Sequence, residues 1–248
     1  MNLYQKHVDA QLDRWHSEIL GSAGLLERAS KGIQNSTQKL IPAKVQKAIT
    51  AAVETLVQSI LYGSGFLSIQ EDTSNLLLAE RDFLVQEQFQ SYKKAAVVQG
   101  VGLGAGGVIL GLADLPTLMA IKIKFLFDSA KLYGYDPSLR EERLFMLYVF
   151  QLAFSSREHR LDTFHILEGW ESNPRPELDW EKFQTEYRDY IDLAKLLQLL
   201  PVVGSLAGGT ANHNLMNRLK VNTMNCYRMR ILERRWPETA AQKIWRKR

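Results

Sequence analysis

The chain has 248 residues, of which 46% are hydrophobic and 23% charged, and it contains a single cysteine, Cys226. These proportions are ordinary for a soluble globular protein, and they argue against general disorder. One cysteine excludes an intramolecular disulfide and any zinc site built on several thiolates, as expected in a reducing compartment.

The charge is unevenly distributed along the chain. Residues 218–248 contain ten Lys or Arg against two Glu, a net of +8, which leaves about −4 for the rest of a chain whose total is +4. A basic tail on a mildly acidic body indicates an acidic partner. The N-terminus lacks the apolar core and cleavage site of a signal peptide, so we expect a cytoplasmic protein.

Helical periodicity dominates the first half of the chain. An amphipathic helix is predicted within residues 2–30, where apolar positions recur at spacings near three and four: Leu3, His7, Ala10, Trp15, Ile19, Leu20 and Leu25. A second apolar stripe follows Pro42 and ends at Gly63 and Gly65. Residues 75–94 are rich in helix-forming residues.

The second half continues this pattern. A helix is predicted from Pro116 to Tyr133, before Gly134, and a core helix over 138–155, where Ser138 and Glu141 resemble a capping box. A further helix is predicted over 180–197. Nothing shows sustained period-two alternation. The fold class is therefore predicted to be all-α, a single multi-helix domain with two central glycine-rich helices packed closely. We expect an N-terminal segment over 1–40, the domain over 41–235 and a basic tail over 236–248.

The two glycine-rich helices correspond to two uncharged runs, 95–113 and 196–217. Both runs carry small residues four apart, a spacing that lets another backbone approach closely: Gly100 and Gly104, Gly107 and Gly111, Gly204 and Gly208. Each run could span a bilayer by length, but its polar residues would be costly in lipid. Gly102, Gly104 and Gly107 match a dinucleotide fingerprint but lack a βαβ context. Close helix packing, or a face against a membrane, is favoured.

Catalytic and metal-binding patterns are weak. His165 and Glu168, with Asp162 a turn earlier, could share a helix face and bind a metal, but the second histidine of a zincin motif is missing. Asp114 reads as an N-cap and His213 as a packing residue. No nucleophile or phosphate-loop motif is present. We therefore predict no catalytic residue, no metal and no cofactor.

The basic tail is more informative because aromatic residues are interleaved with its cations. This combination suits an anionic membrane surface. A nucleic-acid partner would use the same charges, but no nucleic-acid-binding motif accompanies them, and a solvated helix is the simpler alternative. The predicted membrane-contacting residues are Arg228, Arg230, Arg234, Arg235, Trp236, Trp245, Arg246, Lys247 and Arg248.

Three stretches together resemble the EcsC family: IPAKVQKAITAAV at 41–53, GLADLPTLMAIKIKFLFDSAKLYGYDP at 111–137, and LLPVVGSLAGGTANHNLMNRLKVNTMNCYRMRIL at 199–232. The resemblance spans roughly residues 40–235. It implies structural or interaction importance for the positions that match the family pattern: Gly107, Gly111, Asp114, Pro116, Tyr133, Gly134, Tyr135, Asp136, Pro201, Gly204, Gly208 and Asn212.

The family is named from an operon that also encodes the ATPase and membrane subunits of an ABC transporter. Together with the glycine-rich runs and the basic aromatic tail, the resemblance predicts a non-enzymatic accessory protein at the cytosolic face of the membrane. The expected partners are transporter subunits and an anionic membrane surface, and no nucleic acid is expected. The oligomeric state is left open. The alternative is a metal-binding protein or enzyme of unrecognised type that uses Asp114, Asp136, His165 or His213.

Overall fold

The structure is a computed structural model that describes residues 2–21, 51, 54–55, 57–62, 73, 75–94, 115–155, 157–172 and 204–236. Within these ranges all regular structure is helical, and they contain no strand. The all-α prediction is confirmed. The glycine-rich run at 95–113 and the helix predicted over 180–197 lie outside the described residues.

Seven helical segments are defined in the described ranges. They are α1 (Leu3–Leu20), α2 (57–62), α3 (78–94), α4 (Leu115–Leu132), α5 (Arg140–Phe154), α6 (Arg157–Glu168) and α7 (Gly204–Ile231). The helices predicted within 75–94, 116–133 and 138–155 are confirmed. Among the described helices, none is both long enough and apolar enough to cross a membrane.

The α5 helix forms the centre of the core. Every residue from Phe145 to Phe154 is buried, because the LFMLYVFQLAF run presents apolar side chains on all sides of the helix. It packs mainly against α7 and α6. The α7 helix in turn contacts α1, α4 and α6, so it joins the N-terminal helix to the core.

The α1 helix begins with a capping box, in which Asn2 and Gln5 exchange hydrogen bonds between side chain and backbone. Its buried face consists of Val8, Leu12, Trp15, His16 and Ile19. The helix itself was predicted, but the predicted apolar stripe was partly wrong. Leu3 is 85% exposed, because the buried stripe begins one turn later, at Val8.

The turn between α4 and α5 is a Schellman motif. The Gly134 amide donates to the Lys131 carbonyl at 2.8 Å and the Tyr135 amide to the Ala130 carbonyl at 2.9 Å. Gly134 has φ of +89°, and a Cβ there would collide with the Arg81 guanidinium. Glycine is therefore required at this predicted helix end.

The predicted capping box of Ser138 and Glu141 was wrong. The α5 helix begins at Arg140 with Leu139 as its N-cap, and no side chain caps it. The Ser138 amide instead donates to the Asp136 carboxylate at 2.8 Å, so this hydrogen bond stabilises the turn and not the start of the helix. That hydrogen bond also lowers the pKa of Asp136.

Candidate interaction site

A buried carboxylate, Asp82 of α3, joins that helix to α1, to α7 and to the turn after α4. Its side chain is 1% exposed and accepts hydrogen bonds from the hydroxyls of Tyr4 and Tyr133, each at 2.5 Å. The Arg228 Nε lies 3.0 Å from both carboxylate oxygens. Burial and the Asp82 charge raise the pKa of Tyr4 to about 12 and that of Tyr133 well above its usual value. Asp82 is therefore fully hydrogen-bonded by neighbours on α1, α7 and the α4–α5 turn.

A second buried carboxylate, Glu142 in the first turn of α5, forms a similar centre. It accepts from the Tyr227 hydroxyl and from Arg230 Nη1, both at 2.6 Å. Burial raises the pKa of Glu142, although the nearby Arg230 opposes this shift. Arg230 also donates from Nε to Glu171 at 2.5 Å. The guanidinium thus links α7 to both α5 and the turn after α6.

Aromatic rings join the two centres. The rings of Tyr133 and Tyr227 stack with centroids 5.0 Å apart, and Tyr135 lies 5.3 Å from Tyr227. The Arg230 guanidinium sits over the Tyr135 ring at 3.9 Å and over the Phe145 ring at 4.6 Å. Such stacking adds to the attraction between the helices and fixes the side chains in place.

Arg81 holds the turn that carries Tyr133 and Tyr135. Its guanidinium donates to the backbone carbonyls of Tyr133, Thr73 and Leu76. Because these carbonyls face a cation, the turn is held by charge-assisted hydrogen bonds and not only by its own geometry.

These elements surround a cleft of about 860 Å³, here called the large cleft. Its walls come from the α4–α5 turn, from the α6 end and the turn after it, and from the C-terminal end of α7. Arginine and glutamate side chains line it together with tyrosine and tryptophan rings. The lining includes Arg81, Tyr133, Gly134, Tyr135, Glu168, Trp170, Glu171, Ser172, Arg230, Glu233, Arg234 and Arg235.

The segment after α7 is fixed beside this cleft by Trp236. Its ring stacks on His16 with centroids 4.3 Å apart, and its indole N–H donates to Asp13 at 2.7 Å. Its backbone N–H donates to Glu168 at 2.9 Å, and Arg234 pairs with Asp13 at 2.8 Å. Burial lowers the pKa of His16. Trp236 is therefore part of the packed structure.

The structure brings together several residues that the sequence singled out. Tyr133, Gly134 and Tyr135 line the large cleft with Arg230, Arg234 and Arg235, whereas Asp136 is exposed on the α4–α5 turn.

Two of the predicted membrane contacts need correction. Arg228 is 7% exposed and pairs with Asp82, and Arg230 pairs with Glu142 and Glu171. Because these carboxylates already pair with both guanidiniums, we remove Arg228 and Arg230 from the predicted membrane-contacting set.

Other predicted residues are only partly described or not described. Pro116, Gly204, Gly208, Asn212 and His213 lie on helical backbone in α4 and α7. Outside the described residues lie Gly100, Gly104, Gly107, Gly111, Asp114, Pro201, Trp245, Arg246, Lys247 and Arg248. The close packing predicted for the glycine pairs stays a prediction.

The metal hypothesis was built on His165 and Glu168. The His165 Nδ1 lies 3.5 Å from a Glu168 carboxylate oxygen, and Asp162 of the same helix is exposed. Across the described ranges, no group of three or more His, Cys, Asp or Glu side chains is arranged to hold a metal ion. In this arrangement Glu168 instead receives the Trp236 amide.

Asp82, Glu142 and Arg81 were not identified from the sequence. A signal was present for Asp82: Val85 and Phe89 follow it at three and seven residues and are both buried. A carboxylate in register with an apolar helical stripe must find partners when the helix packs.

The fold and the site define the class of protein. It is an all-helical protein in which buried arginine–carboxylate pairs frame a wide polar cleft. Sequence comparison identifies it further. The profile of the EcsC protein family matches residues 6–232, so the chain belongs to the EcsC protein family.

Two relatives from Bacillus subtilis (strain 168) are similar over most of their length. The chain is 41% identical to Protein EcsC over 228 residues, which cover 92% of this chain and 94% of that protein. It is 26% identical to Uncharacterized protein YdbA over 226 residues, covering 81% of this chain and 83% of that protein. No solved structure matches the chain.

Proposed function

We propose that the protein is a non-catalytic accessory factor that acts at the cytosolic face of the membrane together with an ABC transporter. The observation that carries this proposal is the large cleft. It is a concave surface of mixed charge, and its walls are held in place by buried ion pairs and hydrogen bonds. The link to a transporter comes from the family, whose name derives from an operon that also encodes the ATPase and membrane subunits of such a transporter.

The state of the buried carboxylates favours binding over catalysis. An acid–base catalyst needs a carboxylate that can reach a substrate proton. Asp82 and Glu142 instead receive hydrogen bonds from tyrosine and arginine side chains of the same chain. Their role in this arrangement is to hold α3, α5 and α7 together, which shapes the cleft.

The cleft suits a polar segment of a partner protein. Protein interfaces are enriched in tyrosine, tryptophan and arginine, and all three line the large cleft. Glu171, Glu233 and Arg235 are exposed at its edge, where they could pair with charges of either sign on the partner. We therefore assign partner recognition to this cleft.

The proposed membrane contact now rests on fewer cations. Arg228 and Arg230 pair with buried carboxylates, and Arg234 pairs with the exposed Asp13. Arg235 is exposed, and Lys243, Arg246, Lys247 and Arg248 follow with Trp245 in the sequence. Each cation near an anionic surface contributes about 1 kcal/mol. We propose that these residues form the membrane-binding tail, whereas Trp236 holds the start of the segment on the packed structure.

Flotation with anionic vesicles tests the tail. The full chain should float with vesicles and be released by salt, whereas a chain ending at Trp236 should stay at the bottom of the gradient. Ending at Trp236 keeps its contacts with His16 and Asp13, so both chains should show equal thermal stability. Equal flotation of the two chains would remove the tail from the proposal.

Binding to transporter-containing membranes tests the cleft. Inside-out vesicles bearing both transporter subunits should bind more of the full chain, in a saturable way, than vesicles without them. Arg235→Glu reverses a charge at the cleft edge and should reduce that difference. Lys6→Glu, which reverses an exposed charge at the start of α1, is the matched control. No difference between the two vesicle types would contradict the transporter link.

A further inference from the structure

A second pocket lies where α1, α3 and α7 meet. It measures about 340 Å³ and is here called the cationic pocket. Three helices contribute to its walls: α1 with Gln11 and Arg14, α3 with Gln86, and α7 with Lys220, Asn225 and Arg228. It shares no lining residue with the large cleft.

Lys220 is the unusual charge of this pocket. It is half-buried, and its Nζ lies over the Phe89 ring at 4.8 Å from the centroid. No carboxylate of the described ranges lies within ion-pair distance of it. Burial, with repulsion from Lys93 and Arg228, lowers the pKa of Lys220. A cation in this position is costly unless an anion joins it.

The other charges of the lining do not compensate Lys220. Arg14 is exposed and adds a further positive charge, and Arg228 is already paired with Asp82. Glu18 is the carboxylate of the lining, and its side chain is exposed at the rim. The pocket therefore presents two cations, Arg14 and Lys220, that an incoming anion could reach.

Two amide groups contact Arg228, and the amide of Asn225 is available to donate to an anion. Arg228 Nη1 donates to the Gln11 Oε1 at 2.9 Å and to the Asn225 Oδ1 at 3.1 Å. Because both amide oxygens accept from a guanidinium, the amide NH₂ groups are left as donors. The Gln11 Nε2 lies 3.1 Å from the His7 ring, whereas the Asn225 NH₂ has no acceptor within the described ranges. Asn225 is only 6% exposed.

Trp15, Val221 and Met224 form the apolar part of the lining. Trp15 is fixed by the hydrogen bond from its indole N–H to the Asn222 Oδ1 at 3.2 Å, and Met224 is buried beside it. Val221 is 41% exposed at the opening. A pocket of this size holds a small ligand or a headgroup.

From these features we infer that the cationic pocket binds a phosphomonoester, with Lys220 and Arg14 neutralising its charge and the Asn225 amide donating a hydrogen bond to a phosphate oxygen. A phosphomonoester carries nearly two negative charges at neutral pH and several acceptor oxygens, which match two cations and a neutral donor. The group can belong to a free small molecule or to a lipid headgroup. Binding of free phosphate would stand whether or not the protein works with a transporter.

Calorimetric titration of the full chain with inorganic phosphate tests the site directly. Saturable binding is expected, and Lys220→Met and Arg14→Gln should each weaken it by about tenfold or more, the loss of one charge-assisted hydrogen bond. Lys6→Gln is the control. It removes an exposed cation that lies on α1, as Arg14 does, but outside the pocket, and it should leave phosphate binding unchanged. Lys220→Met should also raise thermal stability, whereas loss of a merely structural residue would lower it.

Vesicles distinguish the two sources of the phosphate. Phosphatidic acid carries a phosphomonoester and phosphatidylglycerol a diester, so vesicles matched in surface charge differ in the group that the pocket recognises. If Lys220→Met abolishes a preference for phosphatidic acid, the ligand is a lipid headgroup. If it abolishes only the binding of inorganic phosphate, the ligand is a free compound.

Two results would overturn the site. The first is the absence of saturable phosphate binding by the unaltered chain. The second is an equal loss of phosphate binding in Lys6→Gln and Lys220→Met. That result would show that binding depends on the net charge of the protein and not on the pocket.

Discussion

Positively charged side chains have opposite electrostatic surroundings in two parts of the α7 helix. Near its C-terminal end, Arg228 and Arg230 each meet a buried carboxylate, Asp82 and Glu142. Two turns earlier, Lys220 lies over the Phe89 ring and is repelled by the charges of Lys93 and Arg228. The three side chains belong to one helix, and all three are at least partly buried.

This difference separates charges that stabilise the fold from a charge that, in our proposal, binds a ligand. A buried ion pair with good geometry is costly to break, because removing one partner leaves the other charge in a medium that solvates it poorly. An uncompensated cation has the opposite effect, since the folded state is more stable without it. Substitutions at these positions should therefore change stability in opposite directions.

The largest effect is expected from Arg228→Met, which leaves the Asp82 carboxylate buried with two tyrosine hydroxyls. We expect a loss of about 3–5 kcal/mol in the free energy of unfolding. Urea denaturation followed by circular dichroism measures it. Asp82→Asn in the same chain should recover part of the loss, because the buried charge is then gone. A double variant as unstable as the two losses added together would show that the pair is not coupled.

A smaller loss is expected from Glu142→Gln. The amide keeps an acceptor for the Tyr227 hydroxyl, and Arg230 keeps Glu171 as a partner. We expect a loss of about 1–3 kcal/mol, measured in the same way. Glu171→Gln is the matched control, because the Glu171 side chain is half exposed and should cost under about 1 kcal/mol. Equal losses in the two variants would mean that burial does not distinguish these carboxylates.

The smallest effect, and one of opposite sign, is expected from Lys220→Met. A gain in stability of under about 1 kcal/mol should appear at pH 7. The pKa of Lys220 in the folded chain lies below its ordinary value of 10.5. Between these two pKa values the unfolded chain binds more protons, so the stability of the unaltered protein rises with pH. The difference in the free energy of unfolding between Lys220→Met and the unaltered protein should therefore narrow as pH rises toward 10.

Urea denaturation at several pH values from 7 to 10 measures this gap, in the absence of phosphate. A destabilised Lys220→Met protein, or a gap that stays constant with pH, would count against an uncompensated charge at this position.

The helices could be predicted because their signals are local. The helix-forming composition of 75–94, the apolar run behind Glu142 and the glycine at 134 each act through neighbours a few turns away. The capping box at Ser138 failed for a local reason as well, since the preceding Asp136 accepts the Ser138 amide. Leu3 shows the limit of spacing, because an apolar residue in the right register can still lie beyond the packed part of a helix.

The ion pairs could not be predicted in the same way. Asp82 and Arg228 are 146 residues apart, and Glu142 and Arg230 are 88 apart. A run of arginines near the end of the chain looks the same whether its charges face a membrane or a buried carboxylate. Only the packing of α3 and α5 against α7 separates the two cases, and nothing in the local pattern encodes that packing.

The contacts of α1 with the far end of the described chain also have a consequence for biosynthesis. Trp15 bonds to Asn222, Gln11 to Arg228 and Asp13 to Trp236, over separations of 207, 217 and 223 residues. At about 5–20 residues per second, the ribosome needs roughly 10–40 s to make the intervening chain. The α6 helix, whose Phe164 packs on Trp15 and His16, is made earlier, but until α7 follows the apolar face of the first helix is only partly covered. Chaperones or the membrane surface itself would be the natural means of covering it during translation.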